Sequence, residues 1–70
     1  LIVRNDEPWF LAEVKQGDSR LSPHLSYFQR AVGAPHALQV VVEADYVQAD
    51  CFERDAPVVV PARTLLSQLP

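Results

Sequence analysis

The segment Ala37-Leu38-Gln39-Val40-Val41-Val42-Glu43 constrains the fold more than any other part of this chain. It is almost continuously apolar and lacks the polar alternation of a strand with one wet face. Such a run suits a central strand covered on both sides. It follows a helical pattern, which itself follows a strand pattern. A βαβ crossover with parallel pairing is therefore expected. Layers on both faces of that strand imply an α/β architecture.

The flanking segments fit this frame. Leu1 to Arg4 is apolar and β-branched and reads as a strand. Asn5-Asp6-Glu7-Pro8 reads as a turn, because Asn and Asp tolerate turn geometry and Pro8 cannot donate to a ladder. Trp9 to Lys15 reads as the second strand of an antiparallel hairpin. Gln16 to Arg20 is a loop. Ser22 fits a helix N-cap and Pro23 the first helical position, and Gly33 supplies the stop, with Pro35 beyond. The expected helix runs from about Pro23 to Val32. Leu21, Leu25, Phe28 and Val32 share one face of it, with Tyr27, Gln29 and Arg30 off that stripe. Further on, Asp50 to Glu53 reads as a short edge strand, and Arg54-Asp55-Ala56-Pro57 as a turn. Val58 to Val60 is a short strand stopped by Pro61. Pro61 to Leu69 reads as a final helix with Leu65, Leu66 and Leu69 inward. The expected fold is a mixed β-sheet flanked by helices, in the order β-hairpin, α, β, short β, α.

With 70 residues the chain makes one small domain, and an apolar content of 49% is enough for a core. Leu1-Ile2-Val3 reads as a strand interior with no turn or cap. This predicts a partial domain, residues 1–70, from the C-terminal part of a longer protein. The unprotected edge of that first strand invites a second chain, so a homo-oligomer is expected. Net charge is −3, and Arg4, Lys15, Arg20, Arg30, Arg54 and Arg63 are scattered. This balance gives no support to a dedicated nucleic-acid binder. The single cysteine, Cys51, excludes an internal disulfide and reads as a small core residue. His24 and His36 stand too far from Cys51 for zinc spacing. His36 reads as an exposed loop residue, His24 as a solvated polar residue, and Trp9 as a packing anchor. Nothing resembles a signal peptide or a membrane span, so a cytoplasmic location and no membrane partner are expected.

The chemistry centres on Glu13 and Lys15. They lie two apart on the second strand and therefore point the same way, while Ala12 and Val14 point into apolar packing. A carboxylate can hold a divalent metal, whose bound water attacks a phosphodiester, while a lysine orients that water or stabilises the transition state. The same two residues also make an ordinary solvated ion pair.

The whole run Phe10-Leu11-Ala12-Glu13-Val14-Lys15-Gln16-Gly17 follows a hairpin and precedes a helix and an apolar strand. It resembles the restriction-endonuclease-like, PD-(D/E)xK fold. More narrowly, it is similar to the C-terminal domain of uncharacterised function in prokaryotic AAA+-type ATPases. That family has an h-h-E-V-K-x-G strand, where h is apolar. A helix with L-x-x-F follows, here Leu25 to Phe28. An apolar strand comes next, here Leu38 to Val42. The domain closes with V-h-P-x-x-x-L, here Val59 to Leu65. The resemblance covers nearly the whole chain. It implies a nuclease-like core attached to an N-terminal ATPase, with ATP bound only by that absent domain, since no G-x-x-x-x-G-K-[ST] occurs. Glu13 and Lys15 map onto the catalytic acid and lysine, with Glu13 the metal ligand and Mg²⁺ the cofactor of the complete domain. The second acid of the motif would fall just before Leu1. Asp6 sits in the turn at the far end from Glu13, and Asp18 lies past the second strand. Related exonucleases carry Q-h-x-x-Y on the next helix; here His24 takes the Gln slot and Phe28 the Tyr slot. The resemblance thus implies a regulatory or interaction domain with an incomplete or vestigial site, and a protein partner. Its alternative is a Mg²⁺-dependent nuclease or nucleic-acid-binding domain. The 70-residue piece itself is expected to be inactive.

Overall fold

A computed structural model describes residues 1–17 and 20–69. The elements are β1 (Ile2–Arg4), β2 (Glu7–Lys15), α1 (Leu25–Val32), β3 (His36–Val41), β4 (Val58–Pro61) and α2 (Ala62–Leu66). The strands form one mixed sheet in the order β1-β2-β3-β4. β1 and β2 pair antiparallel, and β2, β3 and β4 run parallel. The fold is α/β, as the residue pattern predicts.

The hairpin turns on Asn5 and Asp6 alone, with φ of 54° and 64°. Two successive positive φ values make a type I′ turn, whose twist matches the strands it joins. The turn is therefore shorter than the expected Asn5 to Pro8, and Glu7 and Pro8 belong to β2. Pro8 stands opposite Val3, one step from the Arg4–Glu7 pair that closes the turn. Hydrogen-bonded and non-bonded pairs alternate in an antiparallel ladder, so Pro8 occupies a place where β1 needs no donor. β3 joins β2 only from Phe10 onward, so that side needs none either. The register shifts between Ile2 and Val3, which leaves Trp9 as the extra residue of a bulge.

Helix α1 begins at Leu25, two residues later than the spacing predicts. Ser22 still serves its N-terminal end, its Oγ accepting the His24 N–H at 3.4 Å. Gly33 ends the helix at φ 72°, and the Gly33 and Ala34 amides donate back to the Arg30 and Gln29 carbonyls. This left-handed cap suits a residue without Cβ.

Strand β3 is covered on both faces. Leu38 and Val40 join Phe10, Cys51, Val60 and Leu65 in the main core beneath α2. Ala37, Gln39 and Val41 alternate to the opposite face, where α1 packs across β2 and β3. The two helices thus lie on opposite sides of the sheet.

Several expectations are corrected. Leu25 is the buried residue of α1, while Leu21, Phe28 and Val32 on the same stripe are exposed. A single helix over this short sheet covers too little of its own apolar face. Val14 is 66% exposed rather than packed, because α2 is five residues long and does not reach that end of β2. Leu66 is 67% exposed for a related reason: Leu65 and Leu69 share the inward face, and Leu66 is rotated away. His36 is not a loop residue but the first of β3, opposite Phe10. Its Nδ1 lies 2.9 Å from the Arg54 carbonyl and its ring meets Phe52 edge-on.

Asp50 to Glu53 is not a strand. The Phe52 amide donates to Asp50 Oδ1 at 2.9 Å and the Cys51 amide to Gln68 Oε1 at 2.9 Å, so these backbone donors are used in a turn. The long β3–β4 connection is fixed to α2 by side chains. Buried Thr64 accepts the Val47 N–H at 2.9 Å and donates to the Val47 carbonyl at 2.7 Å. Gln68 Nε2 donates to the Ala49 carbonyl.

Candidate functional site

β2 carries Glu13 and Lys15 on the α1 face of the sheet, as their spacing predicts. Lys15 Nζ is 3.2 Å from Glu13 Oε1, with the two side chains 38% and 37% exposed. At that exposure the pair contributes on the order of 0.2–1 kcal/mol to stability, as an ordinary solvated ion pair does.

Two hollows flank the pair and meet at Ser22. One, of about 260 Å³, is lined by Glu13, Leu11, Leu25, Ser22, His24 and Phe28 among others. The other, of about 340 Å³, is lined by Lys15, Arg20, Leu21, Ser22 and Pro23. Together they make a cleft between the end of β2 and the start of α1. His24 and Phe28, the residues in the Gln and Tyr slots of the resembled motif, both reach it.

β3 lies beside the β2 wall of this cleft in the sheet. Gln39 is in register with Glu13 and is fully buried. Its Oε1 accepts the Ser22 N–H at 2.7 Å, and its Nε2 donates to the Arg20 carbonyl at 2.6 Å. These bonds tie the segment before α1 down onto the sheet. At the far end the ladder continues past β3. The Val42 amide donates to the Lys15 carbonyl and the Glu43 amide to the Gln16 carbonyl, both at 2.9 Å. The Gln16 side chain then donates to Glu43 Oε1 at 2.9 Å.

The other candidates fall elsewhere. Asp6 is in the hairpin turn, at the opposite end of β2 from Lys15. Asp18 lies outside the described residues. Trp9 is an anchor: Phe52 stacks on it at 5.0 Å, and the Arg4 guanidinium sits 4.2 Å from its ring centroid. Cys51 is buried in the core, and burial, with the Asp50 carboxylate adding to it, pushes its thiol above the ordinary range. It is a packed thiol rather than a nucleophile. Among the described residues, no group of three or more His, Cys, Asp or Glu is placed to hold a metal ion. Among them, too, no helix is long and apolar enough to cross a membrane.

Sequence reasoning missed Gln39. The signal was present, since it is the one polar residue inside the run from Ala37 to Val42. A polar group in a strand covered on both faces needs hydrogen-bond partners. No family model, curated protein or solved structure matches this chain.

Proposed function

We propose that this chain is a regulatory or interaction domain of a prokaryotic ATPase, built on a restriction-endonuclease-like core with an incomplete acid–lysine site. It acts by contact through α1 rather than by cleavage. The observation that carries this reading is the aromatic side of α1. Tyr27 and Phe28 meet edge to face with centroids 5.5 Å apart, and they are 64% and 52% exposed. Val32, one turn on from Phe28, is also exposed. Contiguous exposed apolar surface of this kind marks contact sites, and aromatic residues are enriched at them. Next to the patch, the Glu13 carboxylate is engaged by Lys15, and the residue beside it on β3 is an amide bound to the backbone. In the full-length protein, replacing Tyr27 and Phe28 by Ser should change the rate of ATP hydrolysis several-fold without unfolding the domain. A folded variant with the native rate counts against the proposal.

A second reading is a Mg²⁺-dependent nuclease or nucleic-acid-binding domain. The 3.2 Å contact of Glu13 and Lys15 on one wall of a cleft favours it. Glu13 would hold the metal and Lys15 would orient the attacking water. Calorimetric titration of the full-length protein with Mg²⁺ then gives binding heats that Glu13→Ala removes. Identical heats from both proteins exclude this role for Glu13.

A further inference from the structure

We propose that the outer edge of β1 binds a second copy of this chain, the two β1 strands pairing antiparallel across a two-fold axis at Val3. β1 is the end strand of the sheet, and β2 is the only helix or strand it contacts among the described residues. β1 is short and ends in Arg4, but its remaining side chains are aliphatic. Leu1, Ile2 and Val3 are consecutive, branched, aliphatic and exposed. Edges of this kind template strand addition.

The hairpin register identifies which backbone groups are on offer. The turn at Asn5 and Asp6 closes on Arg4 and Glu7, which makes them a hydrogen-bonded pair. Val3 and Pro8, the next pair, are non-bonded, so the Val3 N–H and C=O turn away from β2. One residue therefore presents both a donor and an acceptor to the outside. That combination is self-complementary: on a two-fold axis, each Val3 N–H meets the Val3 carbonyl of the other copy. The contact is isologous, so it closes as a dimer and does not propagate.

The side chains agree with this register. With Val3 on the axis, Ile2 stands across from Arg4 of the second copy, so the two Arg4 charges do not oppose each other directly. Ile2 also lines a cleft of about 280 Å³ on the α2 face whose lining is wholly apolar, including exposed Val14, Val42 and Leu66. Continuing the sheet beyond Ile2 brings the aliphatic stem of that Arg4 against the mouth of this cleft. The Val3 side chains, 55% exposed in the single chain, pack against each other on the opposite face. The surface is separate from the aromatic side of α1, so this inference goes beyond the proposed function and stands or falls apart from it.

Sedimentation velocity of the 70-residue chain tests it. The expected mass is twice the 7.8 kDa of one chain at high concentration, falling to one on dilution. Val3→Lys and Val3→Glu should each sediment as monomers, because like charges then meet on the axis. An equimolar mixture of the two should recover the dimer. Should either variant fail to fold, a synthetic chain N-methylated at the Val3 amide, which loses only the outward donor, should be folded and monomeric. A native chain that stays monomeric at millimolar concentration overturns the proposal. So does a dimer that survives these changes at Val3, and so does a native monomer that pairs only with an added foreign strand.

Discussion

Gln39 sits beside Glu13 on the parallel β2–β3 ladder, yet one is sealed beneath the segment before α1 and the other opens to solvent. The same register that sets a carboxylate in the cleft sets a buried amide beside it. That amide builds the cleft wall, through Ser22 N–H and the Arg20 carbonyl.

Gln39→Leu should therefore destabilise the fold although it adds apolar volume to a core strand. It removes two part-buried hydrogen bonds to the backbone, each contributing about 0.5–1.5 kcal/mol. Urea unfolding should show a loss of about that size. A variant as stable as the native chain would mean that Arg20 and Ser22 reach other partners.

Leu25 and Phe28 should respond in opposite ways, although both belong to the apolar stripe of α1. Leu25→Ala removes a buried side chain and should cost about 2–5 kcal/mol. Phe28→Ser changes an exposed one and should stay within about 0.5 kcal/mol. Thermal melts of the two variants check this. A large loss at Phe28 would show that it packs in the core, which removes the main support for a contact surface on α1.

These two residues also show where the sequence stops being informative. The end of α1, the hairpin and the central strand are local: Gly33, the Asn5-Asp6 pair and the run from Ala37 to Val42 each carry their own signal, whereas the final helix stops at Leu66, three residues before the expected Leu69. The Glu13–Lys15 pair was legible for the same reason, since alternation along a strand fixes it. How far a helix covers its own stripe depends on what lies opposite, and periodicity cannot show that. Val14 is exposed because α2 stops short of that end of β2, Phe28 because the short sheet leaves part of α1's apolar face uncovered, and Leu66 because it is rotated away from the face Leu65 and Leu69 share. The path from Val42 to Pro57 is set by Thr64 and Gln68, residues distant in sequence whose side chains capture backbone groups. No turn or periodicity signal in that segment announces them.

Gly33→Ala should lower stability by about 1–2 kcal/mol. No atom obstructs a Cβ there, so the cost comes from a left-handed backbone with φ 72° and not from a clash. Gly33→Asn should cost less, since Asn tolerates that region. Chemical denaturation of both variants gives the comparison, and equal losses would point to a steric origin.

Cys51 should make stability fall in mild alkali. Burial raises its thiol pKa in the folded chain, with Asp50 adding to the effect, so the unfolded chain loses that proton first. The contribution is intact below the ordinary thiol pKa of about 8.5 and is lost as pH rises beyond it. Denaturant unfolding followed from about pH 7 to about pH 9.5 should show that decline, and Cys51→Ala should flatten it. The same slope in both proteins would assign the decline to another group.

The most direct test of action by contact is Mn²⁺-dependent DNA cleavage by the full-length protein, measured beside Lys15→Ala. The exposed ion pair adds little to stability, so the substitution leaves the fold intact. The account predicts no metal-dependent cleavage above background from either protein. Cleavage by the native protein that disappears in Lys15→Ala would contradict it and establish a working nuclease site in the cleft.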